Sequence, residues 1–193
     1  DAVLTTREVA KMIKQAGIDF DNLPDEDFDH PLGEYSGAGV IFGATGGVME
    51  AALRTVADVL SNQDLKEIDY SAVRGTEGIK EAEIEVAGMK IRVAVAHGGA
   101  NAKKLLEMIK SGEKEYHFVE IMGCTGGCVN GGGQPYVNAK KRNSGIDHRK
   151  LRAQVLYSED KSKTVRKSHL NKDVQKLYEE FLGKPNSHLA HEL

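Results

Sequence analysis

Helical and strand-like patterns alternate along this chain of 193 residues, and that alternation restricts the folds that it can adopt. Apolar residues recur at helical spacing in five segments, and short apolar or alternating runs lie between several of them. Strands separated by helices are typical of α/β proteins. We therefore expect an α/β fold with a mostly parallel sheet, flanking helices, one antiparallel hairpin and a helical C-terminal tail. The helical segments are 5–17, 44–62, 101–112, 148–160 and 172–183.

Two short apolar runs and one alternating segment predict the strands. AGVIF at 38–42 predicts a short buried strand, and HFVEIM at 117–122 predicts another. Residues 80–96 alternate on both sides of Ala87-Gly88, which is a hairpin pattern.

Breakers and caps predict where the helices end. A threonine precedes the first helix, and Gly17 and Gly112 follow the first and third. Residues 18–37 are acidic and interrupted by Pro24 and Pro31, which predicts a loop. The helix of 44–62 has the strongest pattern, with one apolar stripe. That stripe contains Val48, Ala52, Val56, Val59 and Leu60.

The bulk composition is ordinary for a globular chain. The net charge is −3 and 28% of the residues are charged, so no strong field favours nucleic acid or an anionic membrane surface. No run of 18 apolar residues predicts a membrane span. Two cysteines are too few for a disulfide framework, which favours a reducing compartment and predicts a cytoplasmic location. Because the chain begins at Asp1 without a methionine, we expect it to be part of a longer protein.

Both cysteines lie in the most glycine-dense segment, EIMGCTGGCVNGGGQPYV at 120–137. Cys124 and Cys128 come directly after the strand predicted for 117–122, at its carboxyl end, where ligands of open α/β sheets bind. The glycines around them allow backbone N–H groups to approach an anion closely. Thiolates attached to iron and sulfide form such an anion.

The spacing of the cysteines alone leaves several interpretations open. A disulfide across three intervening residues is sterically awkward. A structural zinc site needs four ligands, and His97, His117 or His148 would have to complete it without the usual paired spacing. Two inert thiols in a tight turn would also explain the spacing. A pair of iron–sulfur ligands is the remaining interpretation.

The longer string EIMGCTGGCVNGGGQP resembles the third signature of the iron-only ([FeFe]) hydrogenases, E-x-M-x-C-x-G-G-C-x-x-G-G-G-Q-P. Every fixed position of that signature is matched between Glu120 and Pro135. Residues 33–54 look like the family's second large glycine-rich block, and residues 166–193 are similar to the start of its small-subunit extension. The resemblance covers essentially the whole chain.

The resemblance implies a role in the reversible reduction of protons to hydrogen at an H-cluster. This cofactor is a [4Fe–4S] cubane joined through a cysteine sulfur to a two-iron centre that carries CO, cyanide and a bridging dithiolate. The family pattern makes Cys124 a cubane ligand and Cys128 the cubane ligand that also bridges to the two-iron centre. It places Met122 against the two-iron centre. If the N-terminus of the 44–62 helix faces the cluster, Phe42 and Val48 join Met122 in the apolar lining of the diiron pocket.

The glycine-rich block at 37–54 is open to two roles. Its glycines superficially suggest a dinucleotide fingerprint, but an apolar run sits between them and no βαβ unit precedes them, so we expect no nucleotide. Gly46 and Gly47 begin the next helix, whose N-terminal amides would face the anionic cluster, which makes them candidate cofactor-binding residues. The alternative is a tight strand–helix turn that serves packing alone.

Two further signatures of the family, T-S-C-C-P and M-P-C-x-x-K-x-x-E, are not found in these 193 residues. In the family they supply the other two cubane cysteines, a proton-donating cysteine and a lysine that holds cyanide. We therefore expect one lobe of the catalytic domain, inactive by itself, with the N-terminal remainder of a hydrogenase as its partner. The family also implies electron exchange with ferredoxin or with NAD(P)H-linked subunits. The charge balance and the lack of a long apolar run predict neither a nucleic-acid partner nor membrane insertion.

We divide the chain into a large-subunit lobe at 1–157 and the start of a helical small-subunit-like extension at 158–193. Three functions compete. The first is the catalytic part of an [FeFe]-hydrogenase. The second is a non-catalytic relative, an iron–sulfur assembly or binding protein that keeps a cubane without the diiron unit, and the third is an α/β module without metal. The intact GGGQP string and Met122 favour the first, because in the family they line the diiron side.

Overall fold

The computed structural model describes residues 2–26, 32–86 and 88–192. Short 3-10 turns connect several of its elements, and a π-helical turn at Tyr178–Leu182 extends the seventh helix. In chain order the helices and strands are α1 (Thr6–Gln15), α2 (Gly37–Val40), α3 (Gly47–Ser61), β1 (Ile79–Val86), β2 (Met89–His97), α4 (Gly99–Lys110), β3 (Phe118–Met122), α5 (Ala139–Arg142), α6 (His148–Ser162), α7 (Lys172–Leu177) and α8 (His188–Glu192).

The three strands form one mixed sheet in the order β1-β2-β3. β1 and β2 pair antiparallel as far as Val86↔Met89, so a tight hairpin joins them. Gly88 in this turn has a φ of +79°, which glycine adopts at little cost, and Ala87 lies outside the described residues. β3 pairs parallel with β2. The α/β class and the predicted hairpin are confirmed, and the sheet has one parallel and one antiparallel pair of strands.

The second half of the central strand β2, residues 93–97, is buried on both faces. α3 packs on one face of the sheet, and α4 packs on the other. Burial on both faces explains why β2 reads as a continuous apolar run near its end. The α3 side of the core contains Met49, Leu53, Val73, Val93 and Val95, and the α4 side contains Ala94, Ala96 and Leu105.

The first helix begins and ends where the sequence predicts. The Thr5 hydroxyl accepts a hydrogen bond from the Glu8 amide at 3.3 Å, and the Glu8 carboxylate accepts one from the Thr5 amide at 2.8 Å. This reciprocal capping box satisfies two amides that the helix itself cannot. Gly17, with a φ of +68°, follows the helix. No residue of α1 is buried, so its apolar residues do not enter the core.

The strand predicted for 38–42 is wrong, because this segment forms α2 followed by a 3-10 turn at Ile41–Gly43. The Ser36 hydroxyl caps α2 by accepting from the Gly39 amide at 3.2 Å. Gly37 lets the helix approach α6 closely, since a Cβ there would lie 2.1 Å from an Asp160 oxygen. A short apolar run fits a buried strand and a buried helical turn equally well, and tertiary contacts decide between them here.

The helix predicted for 44–62 is confirmed as α3, but the face that it buries is not the apolar stripe. Val48 and Ala52 of that stripe are half-buried, whereas Val56, Val59 and Leu60 are exposed. The buried face carries charged residues among its apolar ones, because each of them has an ion-pair partner. These partners lie within α3 itself, at Arg74, on α6 and on the segment after α6. Those charged residues are Glu50, Arg54 and Asp58.

The other sequence predictions of secondary structure agree with the fold. The predicted helices at 101–112, 148–160 and 172–183 correspond to α4, α6 and α7 with its π-helical turn. The described part of the 18–37 loop contains one 3-10 turn, while residues 27–31, with Pro31, lie outside the described residues. Within the described ranges, no helix is both long enough and apolar enough to cross a bilayer.

Candidate metal-binding site

The two cysteines lie at the carboxyl end of β3, as the sequence predicts. β2 and β3 end together at the pair His97↔Met122, and the chain then enters the glycine-rich loop. Cys124 lies two residues beyond β3, and Cys128 begins a 3-10 turn that ends at Asn130. Both are free thiols and both are exposed.

Both cysteines line one cleft of about 430 Å³. Most of its other walls are apolar, and they come from β3 and from the first turn of α3. The structure thus brings four of the predicted site residues together. The cleft is lined by Val48, Phe118, Ile121, Met122, Cys124 and Cys128, with Val119, Glu120 and Gly123.

Phe42, the remaining residue predicted for the diiron lining, does not border this cleft. It lies in the 3-10 turn between α2 and α3 and is 44% exposed. Its place in the metal pocket therefore stays a prediction.

The cysteine loop is shaped by its own backbone hydrogen bonds. The Gly127 amide donates to the Cys124 carbonyl at 3.0 Å, and the Gly131 amide donates to the Cys128 carbonyl at 2.9 Å. The side-chain amide of Gln134 also donates to the Cys128 carbonyl at 3.3 Å. The carbonyl groups of both cysteines are thus hydrogen-bonded within the loop, while both thiols are free.

The loop docks on the segment that connects α2 to α3. Gly127 has a φ of +98°, and a Cβ there would lie 2.7 Å from both the Gly43 carbonyl oxygen and the Thr45 nitrogen. The Thr45 amide donates to the Gly126 carbonyl at 3.2 Å. Glycine is therefore required at 127 by its φ and by the close backbone contact.

Arg152 of α6 supports the loop from the opposite end. Its Nη1 donates to the Val129 carbonyl at 2.8 Å, and its Nη2 donates to the Pro135 carbonyl at 2.7 Å. Sequence reasoning missed Arg152, because nothing in the pattern of α6 distinguishes it from a surface arginine.

The N-terminus of α3 is capped by a carboxylate from β3. Glu120 Oε1 accepts from the Gly46 amide and Oε2 accepts from the Met49 amide, each at 2.7 Å. An anion at this end of a helix is stabilised by the helix dipole and by its free amides. Glu120 therefore fixes the first turn of α3 through backbone hydrogen bonds.

Gly46 and Gly47 have a direct packing role. A Cβ at Gly47 would lie 1.7 Å from the Ile41 carbonyl oxygen, and one at Gly46 would lie 2.0 Å from that of Val73. Gly46 also has a φ of +90°. These contacts support the packing alternative, while a cofactor-binding role for the two glycines stays a prediction.

The histidines considered as zinc ligands do not gather near the cysteines. His97 Nε2 lies 3.3 Å from the Thr76 carbonyl oxygen, and His117 Nδ1 accepts from the Arg92 amide at 3.0 Å. Among the described residues, no three or more His, Cys, Asp or Glu side chains are grouped so that they could hold one metal ion. The thiol pair is therefore the strongest metal-binding feature of the described chain, and it offers two ligands.

Two family models match the chain. One, described as "Iron only hydrogenase large subunit, C-terminal domain", matches residues 1–132. The other, described as "Iron hydrogenase small subunit", matches residues 146–193. The division at 157 that we predicted falls inside α6 and stays a prediction.

Named relatives are similar over the whole chain. Iron hydrogenase 1 of Clostridium pasteurianum is 53% identical over 193 residues, which are 100% of this chain and 33% of that protein. NADP-reducing hydrogenase subunit HndD of Solidesulfovibrio fructosivorans is 49% identical over 193 residues, or 32% of its length. The chain thus spans about a third of the length of these relatives.

A solved structure agrees with these matches. A variant of [FeFe]-hydrogenase HydA1 from Chlamydomonas reinhardtii is similar with a TM-score of 0.74 and 39% sequence identity, over 100% of this chain and 54% of that one. The fold, the signature around the cysteines and both family models lead to one assignment. This chain belongs to the iron-only hydrogenase family, within the C-terminal domain of its large subunit and the adjoining small-subunit region.

Proposed function

We propose that this chain forms one wall of the H-cluster site of an [FeFe]-hydrogenase that interconverts protons and hydrogen. One observation carries the proposal: two free, exposed thiols share a single apolar cleft at the carboxyl end of β3. Inert structural thiols are usually buried, and these are not. Family membership supports the same assignment.

The donor set fits half of an iron–sulfur cubane. Iron–sulfur clusters are held by cysteine thiolates, and a [4Fe–4S] cluster takes four of them. Cys124 and Cys128 would supply two, with Cys128 as the ligand whose sulfur also joins the two-iron centre. The other two would come from a segment outside these 193 residues, so we propose that this chain by itself has no hydrogenase activity. When bound, the cluster would pass electrons from the electron-transfer partner to a metal site at which protons are reduced.

The residues of this chain then have separate tasks. The thiols of Cys124 and Cys128 hold the iron, and the glycine loop fixes their carbonyls so that the side chains face the cleft. Met122 and Val48 form an apolar wall that keeps water away from the metal. A dry wall strengthens electrostatic interactions inside the site. We propose Phe42 as a further lining residue that becomes part of this wall only when the rest of the protein is present.

Partners and location belong to the same proposal. Electrons would come from ferredoxin or from an NAD(P)H-linked subunit, and the name of the NADP-reducing relative supports the second source. The scarcity of cysteines supports a reducing compartment, and we propose a cytoplasmic location.

Anaerobic iron analysis with infrared spectroscopy of the complete protein that contains this chain tests the proposal. We expect about four irons of the cubane, additional iron of the two-iron centre, and absorption bands of CO and cyanide. A cubane without those bands would contradict the hydrogenase assignment and support the non-catalytic iron–sulfur protein. Anaerobically purified protein without iron would contradict both.

A further inference from the structure

A buried lysine and a buried glutamate bind the two sides of one peptide bond next to the cysteine loop. Lys80 Nζ donates to the Thr45 carbonyl at 3.1 Å, while Glu120 Oε1 accepts from the Gly46 amide at 2.7 Å. The C=O and the N–H of the Thr45–Gly46 peptide unit are thus each held by an ionisable group. Lys80 is 8% exposed and Glu120 is 6% exposed.

The register of the sheet explains how the two side chains reach the same peptide. Lys80 of β1 pairs with Val95 of β2, and Val95 pairs with Glu120 of β3. Residues paired across strands project to the same face, so Lys80, Val95 and Glu120 form one row on the α3 side of the sheet. The start of α3 lies over this row, between the two charges.

Lys80 has a second contact that fixes its position. Its Nζ donates to the Gly75 carbonyl at 3.0 Å, in the segment that leads into β1. Burial lowers the pKa of Lys80 to about 8, although the nearby carboxylates of Glu120 and Glu77 oppose that effect. Burying the Lys80 cation costs free energy, and its charge-assisted hydrogen bonds to two backbone carbonyls offset that cost.

The clamped peptide is connected directly to the metal-binding loop. The amide of Thr45 donates to the carbonyl of Gly126, which lies between Cys124 and Cys128. Thr45 itself is 2% exposed. A displacement of Thr45 would move the point on which the cysteine loop docks.

We propose that Lys80 and Glu120 are paired positioning residues that clamp the Thr45–Gly46 peptide and thereby hold Cys124 and Cys128 in register for the metal. Only the purpose of the clamp rests on the proposed function, because the clamp itself is a property of the metal-free protein. Lys80 does not line the cysteine cleft, and Glu120, which does, has both carboxylate oxygens bonded to backbone amides. Both residues therefore act through the loop.

Amide hydrogen exchange of the complete, metal-free protein tests this role. Lys80→Met keeps the length of the side chain and removes its donors. We expect the Thr45 amide to exchange at least about tenfold faster, because the carbonyl of its residue loses a charged donor. Amides in the core of β2 should change less than about twofold. Lys90→Met is the matched control, since Lys90 lies on the neighbouring strand with a side chain that is 75% exposed, and it should leave the Thr45 amide unchanged.

Two further measurements complete the test. In Lys80→Met, the reaction of Cys124 and Cys128 with a thiol reagent should change in rate, whereas Lys90→Met should not alter it. If Lys80→Met does not fold, Lys80→Gln, which keeps one uncharged donor group, replaces it. Unchanged exchange at Thr45, or equal acceleration at Thr45 and throughout β2, would overturn the proposal. The result is independent of iron, so the clamp can hold even if the hydrogenase assignment fails.

Discussion

Arg54 of α3 and Asp160 of α6 form a fully buried, two-pronged ion pair. Arg54 Nη1 lies 2.8 Å from Asp160 Oδ1, and Nη2 lies 2.9 Å from Oδ2. Burial alone would raise the pKa of Asp160, but hydrogen bonds from Arg54 and Arg166 outweigh it and hold that pKa below its ordinary value. Arg54 belongs to the part of the chain matched by the large-subunit model and Asp160 to the part matched by the small-subunit model. The pair therefore joins the two parts.

Removal of one partner of this pair should be costly. Asp160→Asn leaves the Arg54 charge without its main partner, and we expect the free energy of unfolding to fall by about 3–5 kcal/mol. The neighbouring Glu159→Gln removes a more exposed ion pair with Lys163 and should cost less than about 1 kcal/mol. Urea unfolding measures both. If both substitutions lowered the free energy of unfolding equally, the buried ion pair would contribute no more to stability than the exposed one.

Acid should destabilise the fold by protonating Asp160 and Asp64. The pKa of Asp160 is lowered, and hydrogen bonds from Lys167 and Lys66 lower that of Asp64 to about 2 from its ordinary 3.8. A carboxyl group whose pKa is lower in the folded state stabilises the fold above the pKa of the unfolded chain. That stabilisation is lost as the pH falls through the folded value.

Thermal unfolding followed between pH 6 and pH 2 checks this dependence. The melting temperature should fall mainly below about pH 4. In Asp160→Asn the decrease should be shallower, because one of the titrating groups is absent. A decrease of the same steepness in the variant would exclude Asp160 as a source of the acid sensitivity.

Two glycines at equivalent helix positions should respond differently to the same substitution. Gly47 and Gly99 are the first residues of α3 and α4. A Cβ at Gly47 would lie 1.7 Å from a backbone oxygen, whereas one at Gly99 would meet nothing within 4 Å. We expect Gly47→Ala to lower the free energy of unfolding by roughly 2 kcal/mol or more, and Gly99→Ala to change it by less than about 1 kcal/mol.

Thermal or urea unfolding of the two variants, together with cluster loading of the complete protein, separates the two roles of Gly47. If stability and cluster loading fall together in Gly47→Ala, the packing role is supported. Normal stability with poor loading would instead favour the cofactor-binding role.

The isolated chain should associate with itself and should not evolve hydrogen. Val56, Val59 and Leu60 on α3 and Phe118 and Ile121 on β3 are exposed. Large exposed apolar patches promote association. Sedimentation at increasing concentrations should show oligomers, and Val59→Lys should shift them toward the monomer. A strictly monomeric chain, or hydrogen evolution from it with a strong reductant, would contradict this expectation.

The features that local sequence determines were predictable. The Thr5 cap, the hairpin at 80–96 and the position of the cysteines after β3 depend on neighbouring residues, and all three are confirmed. In contrast, α2 packs against α6 with Gly37 close to Asp160, more than a hundred residues away, and the local pattern of 38–42 carries no sign of that contact.

The buried charged residues could not be predicted from the periodicity of apolar residues in the sequence. The face of α3 that enters the core contains Arg54, and an apolar stripe cannot indicate a buried ion pair. Lys80 left a signal, however, because it lies on the same face of β1 as Ala82, Ile84 and Val86. A lysine in register with an apolar face indicates a buried cation with a partner.

The different roles proposed for the two cysteines give the most direct test of the account. In the complete protein, Cys128→Ser should remove the infrared bands of CO and cyanide, because one sulfur is proposed to hold both metal units. Cys124→Ser should mainly damage the cubane, seen by electron paramagnetic resonance. The measurement is the infrared spectrum of Cys128→Ser after anaerobic maturation. The account predicts no CO or cyanide bands and no hydrogen evolution, and bands of normal intensity with normal hydrogen evolution would contradict it.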